Sequence, residues 1–182
     1  MTTGTPRIAP AVIQAVLDGY RLSPTGIHGA GHWARVLENG ARLCVETGAD
    51  RSVVTLFAVL HDARRLNNER DPDHGRRGAE LAAALEHGAL GISEEGLELL
   101  VTACELHADG HTTGDVTVRT CWDADRLDLW RASIVPNDRL LCTPAGRSAA
   151  MKRWARWRSL ALQTPDFVSE EWGIPRTEEM IG

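Results

Sequence analysis

Apolar residues recur at helical spacing through most of the chain, and several of the apolar stripes run into a His or an Asp. Val118, Trp122, Asp125 and Leu129 are spaced 4, 3 and 4, one face of a helix. His107 follows Leu97, Val101 and Cys104 in a helical register, and His61 and Asp62 close the apolar run VVTLFAVL. His74 precedes Gly78, Leu81 and Leu85, and His32 precedes Val36, Gly40 and Leu43. A carboxylate on a core face is costly unless something pairs it. Five predicted helices thus turn a His or an Asp toward the interior. A metal ion, which would neutralise the carboxylates and ligate the imidazoles, is the economical explanation.

The same periodicity predicts an all-α bundle of six or seven helices. It forms a single domain over 1–182, with its core over about 28–163 and an irregular tail over 164–182. Residues 1–9 read as a frayed tail, and a short helix over 10–19 starts at Pro10, a favoured first-turn residue. SPTGIHGAG (23–31) is a loop rich in turn formers. A helix follows over 32–47 and stops at Gly48. Asp50 or Ser52 caps the next, which carries VVTLFAVLHDARR and is apolar on nearly all sides through Leu60, so it is placed at the centre. NNERDPDHG (67–75) is a loop, and 75–87 form an Ala-rich helix. Ser93 caps SEEGLELLVTACELH, where Glu94 and Glu95 suit the positive helix end. Asp115 opens the helix that bears Asp125 and ends before Pro136, and Pro144 begins a last long helix to about residue 163. Only VTV (116–118) has β-branched density, and it runs into a helical stripe.

Composition narrows the classes. The chain has 182 residues, 43% hydrophobic and 25% charged, ordinary for one soluble globular domain. A net charge of -5 offers no global basic footprint, so nucleic acid is not an expected partner. The four cysteines form no CxxC pair, and Cys44, Cys104 and Cys121 read as reduced core residues. There is no long apolar N-terminal region and no apolar run of ~20 residues, so neither a signal peptide nor a membrane span is expected, and the cytoplasm is the default location. MKRWARWRSLAL (151–162) is basic and Trp-rich, but Trp154, Trp157 and Ala161 keep helical spacing. This predicts an amphipathic helix that packs on the core or joins two copies in a homo-oligomer.

His61 and Asp62 are adjacent near a helix end, where neighbouring side chains can approach one ion from different sides. With His32 and Asp125 they make a mixed nitrogen and oxygen set, suited to Mn, Fe, Co, Ni or Zn, with Mg an alternative. Four protein ligands leave room for water and a substrate oxygen, the arrangement for Lewis-acid hydrolysis. Arg65, four residues after His61, points along the same helix face and is the leading phosphate-binding candidate, ahead of Arg35, Arg126 and Arg64. Asp128, three residues after Asp125, is placed to reach the rim of the site or to support a ligand from behind, while Asp123 lies off the stripe and is expected to be solvated or paired with an Arg. Glycines between His28 and His32 argue against a shared helical face, and His87 and His111 read as loop or surface residues.

HWARV with His32, LHDARR with His61 and Asp62, and DADRLD with Asp125 occur in that order over about residues 32–131. In this the chain resembles the HD-domain metal-dependent phosphohydrolase superfamily. The resemblance implies an all-helical fold, a divalent metal held by those four residues, and hydrolysis of a small phosphorylated substrate, often a nucleotide. It makes Asp62 the residue that orients or deprotonates the attacking water. Some relatives carry extra His residues between the doublet and the late Asp and bind two metals. His74, in DPDHGRRGAEL, and His107, in CELHADG, fall there. They would either hold a second ion bridged by Asp62 or contact the substrate. Two further readings stay open: a di-iron oxygenase on the same scaffold, which needs both His74 and His107 as ligands, and a regulatory domain that retains its metal without catalysis.

Overall fold

Caps and stops divide the described chain into ten α-helices with no strand among the described residues. The computed structural model describes residues 7–85 and 87–175. The helices are α1 Pro10–Asp18, α2 Ala30–Thr47, α3 Arg51–Leu60, α4 His74–Ala84, α5 His87–Leu90, α6 Glu94–Leu106, α7 Val116–Arg126, α8 Pro144–Arg147, α9 Ala149–Leu160 and α10 Phe167–Glu170. A 3-10 turn over Leu129–Ala132 follows α7. The expected six or seven helices are thus exceeded, because α5, α8 and α10 are single turns of 4 residues, too short to show a periodic stripe.

Local chemistry explains the boundaries. Asp50 caps α3 by accepting from the backbone N–H groups of Ser52 and Val53, and Ser93 and Asp115 do the same for α6 and α7. Gly48 closes α2 at φ 70, a left-handed position that suits glycine. The expected single helix from Pro144 to about residue 163 is broken at Ser148. That residue adopts extended backbone (ψ 140) and its side chain accepts from Met151 N, so it ends α8 and caps α9. The expected irregular tail is also corrected over its described part. Val168 in α10, with Trp172 and Ile174 after it, is buried in the core, and Phe167 stacks edge-on to Trp172 at 5.2 Å.

α3 is the central element. Val53 through Leu60 are all buried, and α2, α6 and α7 pack around the helix, with α1 and α4 at its flanks. α4 lies along α6 and also meets the end of α3. No described helix is long and apolar enough to cross a membrane. The stripe expected of α9 divides. Trp154 packs against the core between the guanidinium groups of Arg42 and Arg158, whereas Trp157 is 62% exposed and Ala161 is exposed. All four cysteines are free; Cys104, Cys121 and Cys142 are buried and Cys44 is half-buried.

Candidate metal centre

Helix ends bring the predicted ligands together. His61 caps the C-terminus of α3 and Asp62 follows it. His107 caps the C-terminus of α6, and Asp125 lies in the last turn of α7. His32 lies in the first turn of α2, and His74 is the first residue of α4. Three helices thus bring their C-terminal ends to one place, and two others bring their first turns to it.

Two clusters share Asp62. His32 Nε2 lies 3.1 Å from His61 Nε2, 3.7 Å from Asp62 Oδ2 and 3.4 Å from Asp125 Oδ1. His61 Nε2 lies 3.8 Å from Asp62 Oδ2 and 3.7 Å from Asp125 Oδ1. On the other side, His74 Nε2 is 2.8 Å from His107 Nε2, and these are 3.4 and 3.8 Å from Asp62 Oδ1. Two ligand atoms each ~2.1 Å from one ion stand ~3.0 Å apart at a right angle and ~3.4 Å apart at the tetrahedral angle, so these separations suit shared coordination. His61, His107 and Asp125 form a third such triplet, which joins the two clusters.

Proton placement supplies an independent test of fit. His61 Nδ1 faces Phe57 O at 3.0 Å, His107 Nδ1 faces Cys104 O at 2.7 Å, and His74 Nδ1 faces Asp71 O. His32 Nδ1 faces Asp128 Oδ2 at 2.8 Å. Each of these partners only accepts, so each Nδ1 carries the proton and donates it, and each neutral ring turns a bare Nε2 lone pair inward. Two such lone pairs at 3.1 Å and two at 2.8 Å repel unless a cation lies between them. An extra proton is a poor substitute, because burial, reinforced by the Arg131 charge, pushes His32 down to about 3. Burial and a neighbouring imidazole also lower His74 and His107. Burial opposes ionisation of Asp62, yet the His61 imidazole and the hydrogen bond from His28 outweigh it and hold the carboxyl well below its usual range. Asp125 is held at about 2, with burial again outweighed by His61 and His32. Neutral imidazoles and ionised carboxylates are the forms that bind a metal.

A cavity of about 260 Å³ opens onto this centre, lined by Asp62, His74, His107 and Asp125 together with His28, Arg65, Arg126 and Arg131. Arg65 reaches it as expected, but its guanidinium is engaged: Nη1 is 3.4 Å from Asp62 Oδ1, while Nε and Nη2 donate to Asn67 O and Glu69 O. Arg35 turns away from the cavity and clamps Asp128 through Nε and Nη2 at 2.8 and 3.1 Å. Arg64 ties α3 to α1 by donating to Ala15 O and Val16 O.

Several residues differ from their sequence reading. Asp123 is neither solvated nor paired with an Arg. It is fully buried and accepts from Cys142 N, Thr143 N and Thr143 Oγ1, which pins the segment ahead of α8. Asp128 takes the second of its two expected places, behind a candidate ligand, where it orients His32 directly. His28 joins the site after all: its loop folds back so that Nδ1 lies 2.9 Å from Asp62 Oδ2. Arg131, which no periodic signal marks, donates to Ile27 O and Asp128 O and reaches within 3.4 Å of His28 Nδ1. His111 is exposed, as read, and packs against Trp122; the side chain of His87 lies outside the described residues.

No protein-family model matches the chain, and neither a curated protein nor a solved structure gives a significant match to it. The all-helical fold thus carries buried His and Asp groups within the mutual distances that a metal ion would require.

Proposed function

We propose that this chain is a metal-dependent phosphohydrolase on an HD-type helical scaffold, acting on a small phosphorylated metabolite, with a nucleotide the leading candidate. The observation that carries this reading is the convergence of bare Nε2 atoms from the buried His32 and His61 on Asp62 and Asp125, two carboxylates that line a cavity also lined by guanidinium groups. His32, His61, Asp62 and Asp125 would hold the first ion, and His74 and His107 with Asp62 Oδ1 a second. A bound divalent metal supplies Lewis acidity toward the phosphoryl oxygen and makes a water nucleophilic at neutral pH. The protein's own part is orientation and charge. Asp62 orients the attacking water, and the hydrogen bond from His28 Nδ1 fixes the direction of that carboxylate. The water oxygen bonds to phosphorus as the bond from phosphorus to the ester oxygen breaks, and the proton that the water gives up is balanced by the one that the leaving oxygen takes. Arg65 and Arg131 put positive charge on the cavity wall, where the phosphoryl group gathers negative charge.

The pairing of His74 with His107 against Asp62 Oδ1 also favours a second reading, a di-iron oxygenase, and metal identity separates the two. The test is elemental analysis of the purified protein, with reconstitution by Mn, Co, Ni, Zn or Fe, followed by a phosphatase screen over nucleotides and sugar phosphates. Metal uptake with hydrolysis is expected, and Asp62→Ala should reduce hydrolysis at least ~100-fold while the fold persists. A wild type that takes up none of these metals, or an Asp62→Ala protein within tenfold of wild type in a metal-replete assay, overturns the assignment.

A further inference from the structure

Four arginines are buried among the described residues: Arg35, Arg65, Arg126 and Arg158. Three of them have a carboxylate partner, Asp128 for Arg35, Asp62 for Arg65 and Glu38 for Arg158. Arg126, only 6% exposed, has none within ion-pair distance among the described residues. Its guanidinium meets neutral groups instead. Nη1 donates to Leu140 O and lies 3.3 Å from Cys142 Sγ, Nη2 lies 3.4 Å from His107 O, and the Trp122 ring centre is 5.7 Å away. The acids nearest in sequence are committed elsewhere. Asp125 turns to His32 and His61, Asp128 is held by His32 and Arg35, and Asp123 spends both oxygens on Cys142 and Thr143.

A cation taken out of water and faced only with dipoles is costly, and the cost is removed when an anion arrives. Arg126 lines the same cavity as Asp62, His74, His107 and Asp125, and Arg131 and Asn137 stand on that cavity's wall. Arg65, by contrast, already faces a carboxylate and two carbonyls. A guanidinium presents paired N–H groups that match two oxygens of a phosphate.

We propose that Arg126 is a phosphate-binding residue of this cavity, its uncompensated charge completed by the phosphoryl oxygens of the substrate, with Arg131 and Asn137 beside it. The choice of phosphate among oxyanions rests on the phosphohydrolase reading; the demand for an anion rests on Arg126 itself. The residue acts on binding, so its contribution is read without turnover.

The experiment is calorimetric titration of inorganic phosphate, at fixed ionic strength, into the full-length metal-loaded chain, for wild type, Arg126→Gln and Arg126→Lys, with metal stoichiometry and melting measured on each. Arg126→Gln is expected to weaken phosphate binding at least ~10-fold, and Arg126→Lys, which keeps the charge but loses the fork, to fall between it and wild type, both with wild-type metal content. A metal-loaded wild type that binds no phosphate overturns the proposal, as does Arg126→Gln binding within twofold of wild type. If Arg126→Gln does not fold, Arg126→Lys decides, and undiminished affinity there overturns it. Phosphate binding that depends on Arg126, in a protein that hydrolyses no ester, would sustain this assignment and defeat the phosphohydrolase reading. Ester hydrolysis with no effect of Arg126 on phosphate would do the reverse.

Discussion

Asp128 shows how one side chain controls another's chemistry. Its Oδ2 accepts from His32 Nδ1 at 2.8 Å, and Arg35 holds both of its oxygens, so the carboxylate fixes the tautomer that leaves His32 Nε2 free for a metal. Asp128→Asn keeps the shape but loses the charge and lets an amide N–H face the ring. We expect metal affinity to fall ~10–100-fold, the usual scale for losing such an outer carboxylate. Competition against a chelator of known affinity measures this, and an unchanged dissociation constant would show that His32 needs no orienting partner. At this scale the clustered His and Asp residues were legible, because a His or Asp at a core register is an anomaly that periodicity exposes. His28 was not legible. Its approach to Asp62 depends on a loop turn through Gly26 and Gly29, which no stripe encodes.

Among the elements, α4 is positioned by the absence of side chains. A Cβ on Gly75 would come within 2.6 Å of Cys104 O, and one on Gly78 within 2.6 Å of Leu60 O. The helix therefore lies against the ends of both α6 and α3, which is what brings His74 to His107 and Asp62. Gly78→Ala should cost ~1–3 kcal/mol as backbone is forced apart. Gly88→Ala, where a Cβ meets nothing within 4 Å, should be near neutral. Urea denaturation midpoints compare them, and equal midpoints would show that α4 yields without cost. The glycines at 75 and 78 are visible in the chain, but their partners are backbone carbonyls of two other helices, and no local pattern names those. The break at Ser148 went unseen for a related reason. Serine is tolerated within a helix, and here its capping of α9 ended α8.

For the molecule as a whole, the buried imidazoles couple stability to pH. His32 titrates near 3 in the metal-free fold against 6.5 in an unfolded chain, so the unfolded state binds more protons between those values. The stability that depends on neutral His32 is therefore complete above about 6.5 and drains away as pH falls toward 3; the lowered His74 and His107 act in the same direction. A metal held as proposed would add stability by binding the folded state alone, and protons would compete with it for the same nitrogens. Thermal melts from pH 7.5 to 4.5, with chelator or with saturating metal, should show a falling chelated melting temperature and a metal increment that shrinks toward acid. A chelated curve flat across that range, or no increment at pH 7.5, would contradict this coupling. The sequence by itself determined the all-α class, the starts of α3, α6 and α7 through their caps, and the six His and Asp residues that cluster, since each is a local matter of period, side-chain capping or a polar residue at a core register. Only the tertiary structure decided that α2, α3, α4, α6 and α7 end at one point and that Asp62 divides its two oxygens between two imidazole pairs. It alone left Arg126, rather than Arg65, as the buried cation without a carboxylate among the described residues. Those outcomes depend on distances between residues far apart in the chain, which arise from how the helices pack rather than from any one helix.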